Sequence, residues 1–479
     1  MSLTSPLFFA FLAGVILAYH ISESVPYRRL VLGFGNAIFI ASYLTDYIQI
    51  LPLLAFLLLG YACVSILSVW KSSLALGLAV LGVLACYVFL KRFSFFDDLG
   101  RLPFPYLTIG LSYILFRILH IMVDVHSGDL EERIGPTAFF RYTCNFLCFV
   151  SGPIQRYQDF RAADGIAVVK LDADAVFRAF SRVVAGYAKF VIIAAVAEYA
   201  FSFLKPQLFQ AGDPSFARLC MLYAAAASLY TVYLYYNFSG YMDIVLASGV
   251  LLGQTLPENF DRPFSARSFL EFWQRWHMTL SQWFKFYLFN PLVMLLMSCF
   301  PAPALTAYLG VFAFFVTFLV MGVWHGTTAV FVVYGLLMGA GASINKLWQV
   351  ACAERLGKKR YRTMTETLGY VYFARGVTIS YFVLALTCLW TPELSDFTRL
   401  IGRLGPAGMS AAFAGIAFAF GLFWWLADRV APRLAAPAFL ATARDSLVGR
   451  NLTLASQMMV IVAVTALLHK SPDFVYKAF

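Results

Sequence analysis

The sequence predicts an all-α, polytopic integral membrane protein, on three observations. Hydrophobic residues make up 61% of the 479 and charged residues only 13%, against roughly half and a quarter in soluble domains. Mean hydropathy is +0.75. The apolar residues also gather into long runs separated by short polar loops. In hydrocarbon such a run must satisfy its own backbone, which a helix does within one segment.

The first run, residues 7–19, follows a beginning without Lys or Arg, so it lacks the basic start of a signal peptide and reads as a retained helix. Runs follow at 30–47, 51–69, 74–90, 106–123, 139–150, 183–204 and 219–236, then at 286–300, 305–323, 330–344, 377–390, 411–426 and 452–468. At ~20 residues per crossing they imply about a dozen transmembrane helices in one membrane domain, 1–479. Several runs are short or interrupted by Pro or Gly, which is tolerated at membrane depth where protein or a water-filled cavity covers the backbone. A hollow core is therefore expected. No internal repeat of the inverted transporter kind and no low-complexity tail is visible.

The net charge of +11 sits in short loops, as orientation by the positive-inside rule requires, and not on a basic face suited to nucleic acid. Two polar stretches, 261–285 and 346–362, carry cations including Arg262, Arg267, Arg275, Lys358, Lys359 and Arg360, and both are expected on the cytoplasmic side. Three apolar runs separate them, an odd number, so one of the three should not cross. Trp324, His325 and Gly326, between two of these runs, are then a candidate bend inside the membrane. Along 267–287, Phe269, Trp273, Trp276, Leu280, Trp283 and Tyr287 recur at helical spacing, predicting an amphipathic helix on the membrane surface, started by a Ser268/Glu271 capping box. The eight cysteines are scattered and suggest neither a disulfide framework nor a zinc site.

Of six histidines, His277 and His325 stand in aromatic, charge-poor surroundings, where desolvation keeps an imidazole neutral and able to act as a base. The plainer reading is a packed, hydrogen-bonded histidine. His20, His120, His126 and His469 lie near run ends and are assigned nothing. No HxxxH or HExxH spacing exists, so no metal is expected. Ser239, Gly240, Tyr241 and Asp243 place an acid at membrane depth, a functional candidate, or else a small-residue helix contact. The cations at 358–362 read as a solvated loop.

Several strings go further: Pro257-Glu258-Asn259-Phe260, Phe272-Trp273-Gln274-Arg275-Trp276-His277-Met278-Thr279-Leu280-Ser281, Gly322-Val323-Trp324-His325-Gly326 and, upstream, Ser151-Gly152-Pro153-Ile154-Gln155-Arg156-Tyr157. Together they closely resemble the bacterial branch of the membrane-bound O-acyltransferases, over about 105–345, with additional C-terminal helices at 369–479. The resemblance implies helices ringed around a central tunnel. A thioester donor, acetyl-coenzyme A or an acyl carrier, would enter from the cytoplasm, with no bound cofactor. His325 matches the family's invariant histidine and His277, 48 residues earlier, the branch's second. Trp324, Trp276, Arg275, Asn259, Ser239 and Asp243 are the candidate substrate-binding residues.

Two groups within that branch compete. Met278 in its context and Leu292-Val293-Met294 look like the teichoic-acid D-alanyl transferases, whereas Asn237-Phe238-Ser239-Gly240-Tyr241-Met242-Asp243 and the long C-terminal extension look like the alginate-type polysaccharide O-acetyltransferases. Lys285-Phe286-Tyr287 stands where family members usually have an Arg-Asp-aromatic element. The favoured expectation is O-acetylation of an extracellular or periplasmic polysaccharide, from a bacterial inner membrane, with a periplasmic or membrane-anchored acyl-accepting partner protein. D-alanylation is the runner-up, and a transporter or flippase, or a structural scaffold, are the alternatives of a different class.

Overall fold

The computed structural model describes residues 1, 5–95, 100, 102–164, 171–210, 212, 215–430 and 446–468. His469, with the rest of 469–479, lies outside the described residues. Two compact units emerge, one from Met1–Tyr187 and Gly240–Glu258, the other from the described parts of Ala188–Ser239 and Asn259–Pro472.

The first unit opens with α1 (Pro6–His20) and α2 (Val25–Ala41), each begun by a Ser cap followed by Pro in the first turn. Next come α3 (Leu51–Val69), α4 (Ser73–Lys91) and α5 (Leu111–Ser127). Short α6 (Pro136–Thr143), α7 (Phe146–Phe149) and α8 (Tyr157–Asp164) precede α9 (Ala173–Ala188). Nearly all of α5 is buried, including Arg117 at 1% exposure. Its guanidinium donates to the carbonyls of Tyr142 and Thr143 at 3.0 Å and of Cys148 at 2.8 Å. The carbonyls of Tyr142 and Thr143 are ones that the end of α6 leaves without a helical donor, while Cys148 O also accepts from Gly152 N at 3.2 Å. The apolar run at 139–150 is therefore two short pieces broken at Cys144–Asn145, not a crossing; Asn145 caps the second piece through Leu147 N.

The second unit contains a π-helical turn (Lys189–Ala194), α10 (Ala195–Leu204) and most of α11 (Phe216–Leu251). It continues with α12 (Phe269–Arg275), α13 (Met278–Phe284), a second π turn (Lys285–Phe289) and α14 (Asn290–Cys299). Then follow α15 (Thr306–His325), α16 (Ala329–Leu356) and basic α17 (Lys358–Thr365). The last helices are α18 (Leu368–Ala385), α19 (Thr387–Trp390), α20 (Leu394–Val430), kinked at Gly405 before Pro406, and α21 (Leu447–Leu468).

Among the described residues, eight helical segments are long and apolar enough to cross a membrane: Tyr47–Val69, Ser73–Lys91, Ala173–Leu208, Phe216–Leu251, Pro303–His325, Ala329–Leu356, Leu368–Trp390 and Leu394–Val430. The count is lower than the run count suggested, because helices such as Pro6–His20 and α14 are apolar but short. Of the three runs between the cationic stretches, 286–300 forms the shortest helix, α14, of ten residues.

The surface helix expected at 267–287 does not form. The segment breaks at Trp276 and His277 into α12 and α13, of seven residues each. Its stripe is buried, with Phe269, Trp273, Trp276 and Leu280 at 5% exposure or less. The spacing reported an apolar face correctly, but α15 and α18 supply the cover: Phe318 lies 5.0 Å from Trp273 and Phe382 5.0 Å from Trp276, ring to ring.

Candidate active site

His325 is the last residue of α15, where the extended backbone of Gly326 ends the helix and α16 begins three residues later. Trp324-His325-Gly326, expected as a bend inside the membrane, forms the turn between α15 and α16, two helices each long and apolar enough to cross a membrane. Glycine sets how tightly they pair: a Cβ on Gly322 would fall 2.1 Å from Gly335 Cα, and one on Gly326 2.1 Å from the Phe331 ring. This small-residue seam is the usual way for helices to approach closely in lipid. His325, 4% exposed, has the Trp324 ring at 4.8 Å and the Tyr334 ring of α16 at 5.6 Å.

His277 is held by its backbone. It stands between α12 and α13 at φ 45°, ψ 52°, a left-handed conformation that costs a β-carbon residue free energy and that concentrates at functional sites. The surrounding chain enforces it. The stretch from Asn259 to Asp261 pairs antiparallel with Arg275 to Met278 through Asp261 N to Arg275 O and Met278 N to Asn259 O, each 3.0 Å. Fully buried Asn259 completes the tie, its Oδ1 accepting from Thr279 N at 3.1 Å and from Thr279 Oγ1 at 2.8 Å. The two motifs noticed separately in the sequence are therefore one structure. The imidazole packs edge-on against Phe238 at 4.9 Å. Burial pushes its pKa well below the usual histidine range, and the charge of His325 adds to the effect, so His277 is a neutral imidazole near pH 7.

A cavity of about 550 Å³ lies between α12–α13 and α15–α16. Met278, the residue after His277, and Met321, one turn before His325, form part of its wall, together with Trp273, Phe284 and Phe318. Glu271, Gln274, Gln282, Lys285, Lys346 and Gln349 supply its polar lining. Lys285, which the sequence marked only as a departure from the family pattern, thus belongs to this cavity.

The remaining candidates divide. Trp276 is buried in an aromatic cluster with Phe260, Phe272 and Tyr235. Arg275 pairs with Glu271 at 3.0 Å and Asp261 at 3.3 Å, bracing the same tie. Ser239 accepts from Lys189 Nζ at 3.1 Å. Asp243 belongs to the other unit, where it and Glu258 share Arg182, at 2.9 and 2.7 Å. Sequence reasoning missed Thr279, Phe238, Tyr334 and the cavity polar groups. Thr279, Phe238 and Gln274 stood inside the motif strings and Glu271 in the capping box, but none was singled out as a site residue. No group of three or more His, Cys, Asp or Glu suited to a metal occurs among the described residues.

A helical membrane scaffold with two buried histidines whose chain neighbours Met278 and Met321 wall a cavity fits a membrane acyltransferase. Residues 38–364 match the membrane-bound O-acyltransferase (MBOAT) family, and the chain belongs to it. Among curated relatives, the teichoic acid D-alanyltransferase of Streptococcus thermophilus is 33% identical over 247 residues, 50% of this chain and 57% of that protein. The probable alginate O-acetylase AlgI of Pseudomonas aeruginosa is 26% identical over 457 residues, 87% of this chain and 82% of that protein. That of Pseudomonas fluorescens is 27% identical over 361 residues, 72% of this chain. The chain therefore spans little more than half of the D-alanyltransferase and most of the P. aeruginosa protein.

Proposed function

We propose that this protein moves an acetyl group from a cytoplasmic thioester to the hydroxyls of an extracellular or periplasmic polysaccharide, working from a bacterial inner membrane with a periplasmic or membrane-anchored acyl-accepting partner. The observation that carries acetyl over D-alanyl is extent: similarity to the probable alginate O-acetylase runs over 87% of the chain and that to the D-alanyltransferase over 50%. The higher identity to the D-alanyltransferase favours the second reading, D-alanyl transfer to a cell-envelope polymer.

In this reading His325 is the general base. It takes the proton of an acceptor hydroxyl while that oxygen attacks the thioester carbonyl carbon. The tetrahedral oxyanion collapses, the C–S bond breaks, and the imidazolium returns the proton to the leaving thiolate. Positioned proton transfer of this kind contributes ~10²- to 10⁴-fold. Trp324 and Tyr334 orient the ring, and the left-handed turn aims His277 at the acyl group or the acceptor. The cavity beside Met278 and Met321 accepts the donor's thioester arm, and Lys285 and Lys346 favour an anionic donor such as acetyl-coenzyme A.

The test offers purified protein either acetyl-coenzyme A or a carrier-bound D-alanyl thioester, with polymer and partner supplied, and compares wild type with His325→Ala. Consumption of acetyl-coenzyme A by wild type alone supports acetyl transfer through His325. Preference for the D-alanyl thioester selects the second reading. Indifference to both brings forward a transporter.

A further inference from the structure

A second cavity, of about 720 Å³, lies in the second unit between α11, α18 and α20 and takes no part in the chemistry above. We infer that it is a binding groove for one acyl chain of an anionic phospholipid, whose phosphate is held at Arg262.

Its walls explain the chain. Ala224, Ala225 and Ser228 of α11 and Gly415 and Ala419 of α20 are small where the helices face each other, and a Cβ on Gly415 would meet nothing within 4 Å. Phe420 and Phe423 close the side, Phe423 remaining 58% exposed on a helix whose outer face also shows Phe418 and Leu422. That outer face suits lipid tails. From Ala224 to Tyr236 the groove follows α11 for roughly 18 Å at ~1.5 Å per residue. One leaflet's share of a ~30 Å hydrocarbon core is about that depth.

Its end explains the headgroup. Phe264, Ser265 and Trp424 line the groove where α11 reaches Tyr235 and Tyr236, and Arg262 joins them with a side chain 84% exposed. Arg375 is stacked 4.6 Å from the Trp424 ring and donates to Ser265 O at 3.1 Å. Two carboxylates face these cations: Asp261, 3.4 Å from Arg262 and shared with Arg275, and Asp428, 3.2 Å from Arg375. Arg262, though 3.4 Å from Asp261, keeps its side chain 84% exposed at the end of an apolar slot, in a stretch where basic residues collect. Basic pockets between transmembrane helices hold anionic headgroups for this reason. Arg262 also adopts φ 44°, a left-handed conformation rare for a residue with a side chain, which the turn into Pro263–Ser265 fixes.

The full chain, purified in detergent, would be titrated with phosphatidylglycerol or phosphatidylcholine and the retained lipid counted by native mass spectrometry. Wild type should retain one phosphatidylglycerol in preference to phosphatidylcholine. Arg262→Gln, on an exposed loop, should reduce that preference about five-fold. Ala225→Phe, which fills the slot from a lipid-facing position, should remove retention of both lipids while leaving gel-filtration behaviour unchanged. Equal retention of the two lipids by wild type would overturn the inference. So would wild-type retention in both variants, or co-purification of a polypeptide that Ala225→Phe displaces.

Discussion

His120 and His277 are each 1% exposed, yet the two buried histidines do opposite things with their surroundings. In the first unit, the His120 Nε2 accepts from Tyr157 N at 3.1 Å, and the Tyr142 ring lies edge-on at 5.7 Å. His120 serves as a fixed acceptor that ties α8 to α5. In the second unit, His277 is fixed by its own backbone, the next residue walls a cavity, and a second imidazole lies near enough to shift its pKa. Burial alone therefore does not separate a structural histidine from the proposed reactive one; what differs is that the residue next to His277 walls a cavity.

The contrast is sharpest where chemistry is read. His325→Ala should lower acyl transfer by ~10²- to 10⁴-fold with the melting temperature little changed. His120→Ala should act the other way, costing about 2 kcal/mol by leaving Tyr157 N unpaired and a void behind, with activity per folded molecule kept. Thermal melting in detergent and thioester consumption, measured on both variants, check this pair; loss of activity from folded His120→Ala would break the comparison.

Smaller effects sharpen it. Asn259→Ala should cost about 1–3 kcal/mol, because the buried Thr279 N–H and hydroxyl lose their acceptor, and activity should fall with it as the turn at His277 loosens. The pH dependence of stability carries a sign. His277 has a depressed folded pKa, so its contribution is fully present above the unfolded value of ~6.5 and is lost as pH falls through the folded value. Melting temperature should be flat above neutrality and decline in acid, and His277→Asn should flatten the decline; an unchanged acid slope in that variant would remove His277 as its cause. Smallest of all, His277→Gly should be about 1 kcal/mol more stable than His277→Ala, since glycine alone enters the left-handed region freely.

Much of this was legible in the sequence because it is local. Hydropathy marked the long apolar helices. The Ser268/Glu271 cap is present, Ser268 Oγ accepting from Glu271 N at 3.1 Å, with the Glu271 carboxylate taking Arg267 N. What spacing could not tell was where a helical pattern stops: nothing within 267–287 says that Asn259 will pair across Met278 and turn the chain at His277. Nor could it separate the two roles of apolar residues, against lipid or against other helices, which put Trp276 in a core instead of on a surface. The cavity draws its wall from four helices and so has no sequence signature. Arg275 and Asp243, chosen from motifs, are occupied in ion pairs.

The contact of Gly322 with Gly335 also fixes a depth. With no side chains between α15 and α16 at that level, neither helix can slide past the other without driving Leu319 or Phe331 into the facing backbone. The imidazole one turn beyond Gly322 is therefore held at one height along the pair, as a mark is held on a ruler. Under the proposed function, a donor arm and an acceptor meet at that mark, and the length of each substrate's reach is selected by it.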